Sequence, residues 1–313
     1  FFFQAEDGLR DSVASRGLGD VYKRQDKNEP LTVFQDLSFE IQKGEFICCI
    51  GHSGCGKSTI LNILSGLDQA TLGTVLLGGK VVDSPGLDKA VVFQNHSLLP
   101  WLSALKNVEF GVAAKHRDWT KSKVHQHSVD FLKLCSLEET IDRKPSQLSG
   151  GMRQRVGLAR AFALESELLL LDEPFGALDA LTRGSIQDEL VNICRQTEQT
   201  VFMITHDVDE AILLADRIFL MSNGPYATIS EIINVDIPKH RSRTNLFKAK
   251  NYYATRNHII DFLVNRCNET RERPATHGKK KISFPPEVSP QAECSDAVSY
   301  THLRAHETLR YRV

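Results

Sequence analysis

Short apolar runs alternate with helical patterns along most of this chain. Apolar residues at alternate positions between Leu31 and Ile41 predict a half-buried strand of an antiparallel layer. Buried strands of a parallel sheet are predicted by four continuous apolar runs, at 46–50, 90–93, 168–171 and 201–204. Because helical patterns separate most of these runs, the sequence predicts an α/β fold.

Two further patterns predict a hairpin and a helical insertion. The apolar segments 74–77 and 80–82 flank Gly78-Gly79, which is typical of a two-residue hairpin turn. Apolar residues at helical spacing predict a helical subdomain over about 95–163. Its entry, 97–102, is apolar for a loop, and it belongs either to the core or to a docking surface for a partner helix.

Composition limits the classes of protein that fit. The 313 residues are 41% hydrophobic and 25% charged, which suits an ordinary soluble protein with one large core or two modest ones. A net charge of −1 gives no reason to expect nucleic acid as a partner. The seven cysteines lack metal-site spacing and are expected to be reduced thiols of a cytosolic protein. No apolar run approaches the roughly 18–20 residues of a membrane span.

Both ends of the chain lack periodicity. Residues 1–25 show no strand or helix pattern and resemble translated adaptor sequence, as does the end of the chain from about 298 to 313. Charges and prolines over 268–297 predict a flexible tail, so that 268–313 is expected to lie outside the fold. The folded domain is therefore expected over 26–267.

The clearest chemical motif follows the apolar run 46–50. Residues 51–59 fit the phosphate-loop pattern, in which backbone N–H groups and a helix N-terminus cradle a polyphosphate. Lys57 can neutralise phosphate charge, and the Ser58 hydroxyl can complete the coordination of Mg²⁺. The residues predicted to bind the nucleotide are Gly51, Ser53, Gly54, Cys55, Gly56, Lys57, Ser58 and Thr59.

A second anion-binding helix terminus is predicted at Ser149. This residue is a good N-cap, and Gly150 and Gly151 expose backbone N–H groups at the start of the helix. Two such termini are needed if a nucleotide lies between two protein surfaces. The segment 148–155 resembles the signature motif of the ATP-binding-cassette (ABC) ATPases.

The resemblance extends over about residues 29–266 and implies the remaining site. Gln94 and Asp172 follow two predicted strands and would hold Mg²⁺ together with Ser58. Adjacent strand residues face opposite ways, so Glu173 takes a separate role and polarises the attacking water. Gln94, Glu173 and His206, which matches the family's switch histidine, are the catalytic residues that the resemblance implies.

The same resemblance implies fold, cofactors and assembly. The expected fold is a P-loop NTPase (RecA-like) core with an antiparallel β subdomain and an inserted α-helical signature subdomain. Two copies would face each other head to tail, with each ATP between Lys57 of one copy and Ser149 of the other. Asp179, in a segment that resembles the family's D-loop, would contact the opposite copy. The implied cofactors are ATP and Mg²⁺.

Further details resemble the ATPase subunits of nitrate, sulfonate and taurine importers, above all those for nitrate, cyanate and bicarbonate. They lie at 51–55, 93–95, 98–101, 223–225 and 252–257. The implied partners are a second cassette copy or a paralogue, transmembrane permease subunits, and a periplasmic or lipid-anchored substrate-binding protein. The subunit would lie peripherally on the cytoplasmic face of the inner membrane and drive uptake of a small anion, with nitrate or nitrite favoured.

Other interpretations remain open. The transported anion could be a sulfonate such as taurine, cyanate or bicarbonate, or the chain could be a truncated and catalytically impaired ATP-binding module. A cassette for DNA repair is disfavoured because no sustained heptads separate the phosphate loop from Ser149. A small-molecule kinase is disfavoured by the signature segment.

One departure from the family pattern concerns adenine. ABC ATPases normally begin with a strand and an aromatic residue that stacks on adenine, whereas residues 1–25 lack a strand pattern here. Tyr22 and Phe34 are poor substitutes for that aromatic residue, so the adenine contact is expected to be either impaired or rescued. Apolar residues between Tyr252 and Arg266 predict a helix that packs on the core.

Overall fold

The computed structural model describes residues 12–18, 23–26, 29–34, 37–95, 97–237, 243–266 and 284–291. Within these residues the chain forms a large sheet, a smaller antiparallel sheet, a two-stranded ribbon and helices that cover the large sheet. This arrangement confirms the predicted α/β fold.

The large sheet contains the four predicted apolar strands. Its spatial order is β13-β12-β11-β5-β10-β9-β8, and the five strands from β11 to β8 run parallel. The bounds are β5 Phe46–Ile50, β8 Lys89–Val92, β9 Leu168–Asp172, β10 Val201–Ile204, β11 Arg217–Met221, β12 Ile229–Asn234 and β13 Glu287–Val288. Since the carboxyl ends of parallel strands meet at one edge, the loops after these strands lie together.

The antiparallel sheet has the order β4-β1-β6-β7. Its strands are β1 Ser12–Leu18, β4 Leu37–Gln42, β6 Thr74–Leu77 and β7 Lys80–Val81. Gly78 and Gly79 both have positive φ, 56° and 78°, as a type I′ turn requires, so the predicted hairpin is confirmed. The ribbon pairs β2, Lys23–Asp26, with β3, Glu29–Thr32.

The expectation that no strand precedes Leu31 is wrong. Strand β1 lies between β4 and β6, with Ser12 opposite Gln42 and Ser15 opposite Val75. Its hydrogen bonds come from the backbones of both neighbours, so it forms without an alternating apolar pattern. The assignment of 1–25 as foreign sequence stays a prediction, and Tyr22 lies outside the described residues.

The helical insertion lies between β8 and β9. Its helices are α2 Ala104–Lys115, α3 Lys121–Leu134 and α4 Gly150–Ala163, with short 3₁₀ turns at Glu138–Thr140 and Pro145–Gln147. Ser103, Thr120 and Ser149 cap the three α-helices by accepting hydrogen bonds from backbone N–H groups. The apolar faces of these helices join one side of the large sheet in a continuous core.

The other helices lie in the core domain and the C-terminal region. They are α1 Lys57–Ser65, α5 Ala180–Thr197, α6 Val208–Leu214, α7 Arg243–Leu246 and α8 Tyr252–Asp261, which continues as a π-helical turn over Phe262–Arg266. Tyr252, Ile259 and Phe262 are buried, which confirms the predicted packing of this helix. Among the described residues, no helix is both long enough and apolar enough to cross a membrane.

The tail contains a strand where none was predicted. Residues 284–291 return to the large sheet, and β13 pairs in parallel with β12, with Ile232 opposite Glu287. Ile232 also donates a backbone hydrogen bond of 3.0 Å to Pro286 O. The expectation of a flexible tail is therefore wrong for this segment, because the edge of β12 offers it a partner. The other tail residues lie outside the described part of the chain.

Candidate nucleotide site

The phosphate loop joins β5 to α1 in a tight turn that only glycine allows at two positions. A Cβ on Gly51 would lie 2.9 Å from Cys55 Sγ and 3.0 Å from Met221 Cβ. Gly56 has φ 95°, and a Cβ there would lie 2.7 Å from Val33 Cγ1. Both glycines are therefore required by the close approach of backbone and neighbouring side chains.

Lys57 stabilises this turn from its inner side. Its side chain is almost fully buried, and Nζ donates hydrogen bonds to Gly51 O at 2.7 Å and to His52 O at 2.9 Å. The N-cap of α1, Gly56, offers no side-chain acceptor, so the first N–H groups of the helix remain available. A buried cation and open N–H groups in one concave turn suit an anion such as a polyphosphate.

Asp172, at the end of β9, faces the phosphate loop. Its carboxylate accepts a hydrogen bond from the Ser58 hydroxyl, and burial raises the pKa of this carboxyl above its ordinary value. The adjacent Glu173 charge raises that pKa further, whereas Ser58 and Lys57 oppose the rise. A carboxylate that is costly to ionise and touches a hydroxyl suits a Mg²⁺ site, since this cation prefers oxygen ligands.

Glu173 and His206 meet at the same edge. Glu173 Oε2 lies 3.4 Å from His206 Nδ1, and Glu173 has φ 45°, which is uncommon for a residue other than glycine. A hydrogen bond of 3.0 Å from Glu173 N to Ile204 O holds this backbone. Gln94 is near, because a Cβ on Gly176 would lie 3.7 Å from both Gln94 Nε2 and Glu173 Oε2. The structure thus brings the three predicted catalytic side chains together.

The signature segment lies against α5. Ser149 is exposed and caps α4 by accepting a hydrogen bond of 3.2 Å from Met152 N. Gly151 is buried, and a Cβ on it would overlap Thr182 Cγ2 of α5. Asp179 caps α5 through a 3.0 Å hydrogen bond from Thr182 N, and hydrogen bonding by Thr182 lowers the Asp179 pKa. Thr182 therefore lies between the two segments expected to face a second copy.

The expectation that Phe34 is a poor partner for adenine is confirmed. Phe34, a candidate for stacking, is 1% exposed, and its ring lies against the phosphate loop near Gly56. A buried ring cannot stack on a base, so Phe34 has a packing role. The structure therefore assigns no stacking residue among the sequence candidates that it describes.

Sequence reasoning missed a set of polar residues behind His206. Glu210, on α6, is 6% exposed and accepts a hydrogen bond from the hydroxyl of Thr205 and one of 2.6 Å from Gln187 Nε2. Burial raises the pKa of Glu210. The only available signal was an acidic residue between the apolar positions of a short helical pattern, which by itself does not indicate burial.

The C-terminal helix also contacts the site. His52, in the phosphate loop, hydrogen-bonds through Nε2 to Leu263 O at 2.8 Å. Tyr252 Oη donates to Asp209 Oδ1 at 2.7 Å, and Arg256 Nε lies 2.8 Å from the same oxygen. The region 252–266 thereby joins the phosphate loop to α6, the helix that follows His206.

A phosphate loop, a strand-end carboxylate pair and a histidine at one edge of a parallel sheet define a nucleotide hydrolase of the P-loop class. The family described as ABC transporter matches residues 34–176. Together with the relatives below, this match shows that the chain belongs to the ABC transporter family of ATP-binding cassettes. It is an ATPase and uses a nucleotide.

Its relatives include ATP-binding proteins of bicarbonate transport and nitrate import. The bicarbonate transport ATP-binding protein CmpD of Synechocystis sp. is 49% identical over 237 residues, which cover 76% of this chain and 84% of CmpD. The nitrate import ATP-binding protein NrtD of Synechococcus elongatus is 48% identical over 237 residues and is covered to 86%. CmpC of Synechocystis sp. is 43% identical over 292 residues, but this chain covers only 44% of it.

Solved structures agree with the assignment of this chain to the ABC transporter family. A dimeric post-hydrolysis state of the ATP-binding cassette MJ0796, bound to ADP and phosphate, superposes with a TM-score of 0.63 at 30% identity. The match covers 72% of this chain and 98% of that cassette. The predicted P-loop NTPase core with its two subdomains is thereby confirmed.

Proposed function

We propose that this chain is the ATPase subunit of an importer for a small inorganic anion, with nitrate or bicarbonate as the leading candidates. The observation that carries the proposal is the meeting of Glu173 and His206 beside the phosphate loop, in a chain nearly half identical to CmpD and NrtD. Glu173 accepts a proton from the attacking water. His206 orients the Glu173 carboxylate and the terminal phosphate, and Gln94 lines the same edge of the site.

Ser58, Asp172 and Gln94 would hold Mg²⁺ at the proposed site. Ser58 and Asp172 already lie within hydrogen-bonding reach of each other, and Gln94 supplies an amide at the same edge. The ion would supply charge neutralisation to the transferred phosphate. Lys57 and the N–H groups at the start of α1 bind the remaining phosphate oxygens.

The proposed assembly is a head-to-tail dimer, in which ATP lies between the phosphate loop of one copy and Ser149 of the other. Ser149 and Asp179 are both exposed N-caps, so the N-termini of α4 and α5 are accessible to a partner. Their first-turn N–H groups carry partial positive charge that suits the phosphates of a nucleotide. The similarity to a dimeric cassette supports the same arrangement.

A groove on the helical subdomain is the proposed docking site for the transmembrane permease. Its volume is about 740 Å³, and α2 and α3 supply most of its lining. Phe110 in the groove and Trp101, which precedes the lining residue Leu102 in the chain, are 63% and 67% exposed, which is unusual for such large apolar side chains. The one acidic residue among the described lining residues, Glu109, is paired with Lys106 and His125. Arg117 and Lys121 therefore give the groove a positive charge. A partner helix with an apolar face and acidic residues fits this groove.

Docking there places the subunit peripherally on the cytoplasmic face of the membrane, where a permease would connect it to an extracytoplasmic binding protein. Trp101→Ala combined with Phe110→Ala should abolish co-purification with the permease while ATP affinity is kept. Val81→Ala, which removes an apolar side chain that is 61% exposed on the antiparallel sheet, is the matched control. Equal recovery of permease with both variants contradicts the docking site.

Transport assays test the anion. Vesicles that contain this subunit with its permease and binding protein should take up either nitrate or bicarbonate when ATP is supplied on the subunit's side. Uptake should stop in Glu173→Gln. Uptake of neither anion, with taurine or cyanate transported instead, overturns the assignment of the anion, and uptake without ATP overturns the assignment as an importer ATPase.

A further inference from the structure

Glu210 is a buried carboxylate that the proposed hydrolysis does not use directly. It lies on α6, behind His206, and its residue exposure is 6%. Its Oε1 accepts a 2.6 Å hydrogen bond from Gln187 Nε2, and its Oε2 accepts the hydroxyl proton of Thr205. Each carboxylate oxygen thus has a donor on a different segment of the chain.

Thr205 transmits this contact to the histidine. It directly precedes His206, and its Oγ1 accepts a 3.1 Å hydrogen bond from the N–H of Asp207, which directly follows His206. Thr205 N also donates a 3.3 Å hydrogen bond to Cys49 O of β5. One hydroxyl therefore connects the residues on both sides of His206, and Glu210 fixes the orientation of that hydroxyl.

Gln187 connects the same network to α5. This side chain is 1% exposed, and in the described part of the chain its Oε1 has no hydrogen-bond partner. A buried amide with half of its hydrogen-bonding capacity unmet is unfavourable where only packing is needed. On the same helix, Arg183 lies 3.8 Å from Asp207 Oδ2. Helix α5 begins at Asp179, so the segment expected at the dimer interface and the His206 loop share one helix.

We propose that Gln187 and Glu210 are positioning residues that orient His206 through Thr205, and that they couple its position to the N-terminus of α5. Movement of α5 on dimer contact would then change the orientation of His206 relative to Glu173. Within the described part of the chain, the hydrogen bonds of Gln187 and Glu210 do not include the phosphate loop. The inference rests on the role proposed above for His206.

Glu210→Gln changes the polarity of the network with little change in shape. The new amide offers one acceptor and one donor group, so it cannot accept from both Gln187 Nε2 and the Thr205 hydroxyl as the two carboxylate oxygens do. Either the Thr205 hydroxyl loses the acceptor for its proton, or the Gln187 amide turns over to accept from the new N–H group, and the network is rearranged in both cases. Gln187→Met removes the other donor at similar volume. The control is Gln199→Met, because Gln199 is also buried but donates its 2.7 Å hydrogen bond to Ser166 O.

The expected result is a split between turnover and binding. Glu210→Gln and Gln187→Met should lower kcat about 10- to 100-fold, because a displacement of about 1 Å in a reacting group costs up to that factor. KM for ATP should match that of Gln199→Met, and all three variants should be folded at the assay temperature. Unchanged kcat, or a loss of kcat that Gln199→Met reproduces, overturns the proposal.

Two further measurements separate this inference from the role of His206. Thr205→Ser keeps the hydroxyl and should retain wild-type kcat, whereas Thr205→Val should behave as Glu210→Gln. In a His206→Ala background, Glu210→Gln should cause no further loss. Equal kcat for the two Thr205 variants, or an additive loss in the His206→Ala background, overturns the inference alone. Wild-type kcat in His206→Ala overturns the proposed role of His206 as well.

Discussion

Replacing Gly151 by alanine tests whether the signature helix is held in place by α5. A Cβ at this buried position would overlap Thr182 Cγ2 and lie 3.7 Å from Ile186 Cδ1. At the neighbouring Gly150, a Cβ would meet only Arg153 Nη2, at 4.0 Å. Two adjacent glycines in one helix therefore face different environments, and the same substitution should have opposite effects.

The sign of the change in unfolding free energy at each position depends on the balance between helix propensity and overpacking. Alanine is favoured over glycine within a helix by about 1 kcal/mol, so Gly150→Ala should be neutral or stabilising. Overpacking a filled site costs about 1–3 kcal/mol, so Gly151→Ala should lower the free energy of unfolding by about 0–2 kcal/mol. Because α4 must also move away from α5, ATPase activity of Gly151→Ala should fall up to about 100-fold.

Thr182→Ser provides the rescue. It removes the methyl group that the new Cβ would overlap, and it keeps the hydroxyl and the backbone N–H that binds Asp179. In a double-mutant cycle by urea unfolding, Gly151→Ala and Thr182→Ser should show a favourable coupling of at least about 0.5 kcal/mol. Equal unfolding free energies for Gly150→Ala and Gly151→Ala, or zero coupling with Thr182→Ser, would refute this placement of the signature helix.

Two other predictions concern buried charges. Lys57→Met should weaken ATP binding at least about 100-fold, or about 2.7 kcal/mol, because a charge-assisted contact to phosphate is lost. Titration with a fluorescent ATP analogue measures this affinity directly. An unchanged affinity would contradict the assignment of the phosphate site. Burial raises the pKa of Glu210, so the folded chain binds this proton more tightly than the unfolded chain. The free energy of unfolding of wild type should therefore fall relative to that of Glu210→Gln as pH rises from about 4.3 through the raised pKa, and the difference should stay constant at higher pH. Parallel curves of unfolding free energy against pH for the two proteins would show that Glu210 titrates normally.

The parts of the fold that sequence predicts are those with a local pattern. The strands 46–50 and 168–171 are continuous apolar runs because both faces of the sheet are covered, one by helices and the other by α1 together with the antiparallel sheet. The phosphate loop is recognisable because the loop's own geometry requires both glycines: a Cβ on Gly51 would meet Cys55 four residues later, and Gly56 has φ 95°. The order of Gln94, Asp172 and His206 after successive strands places them at one edge, as the structure shows.

The features that sequence reasoning missed depend on partners distant in the chain. Strand β1 forms because β4 and β6 offer hydrogen bonds on both sides, and β13 forms because β12 offers an open edge. The burial of Glu210 depends on how α5 and α6 pack, and Gly151 differs from Gly150 through its contacts with Thr182 and Ile186 of α5. None of these contacts leaves a periodic signal in its own segment.

The dependence of hydrolysis on protein concentration tests the central claim most directly. If ATP is enclosed between Lys57 of one copy and Ser149 of another, a single copy holds only half of a site. Over concentrations at which light scattering shows a monomer without ATP, the hydrolysis rate should rise more steeply than linearly, and Glu173→Gln should show no rate at any concentration. A strictly linear rise, or hydrolysis by Glu173→Gln at the wild-type rate, would contradict the account.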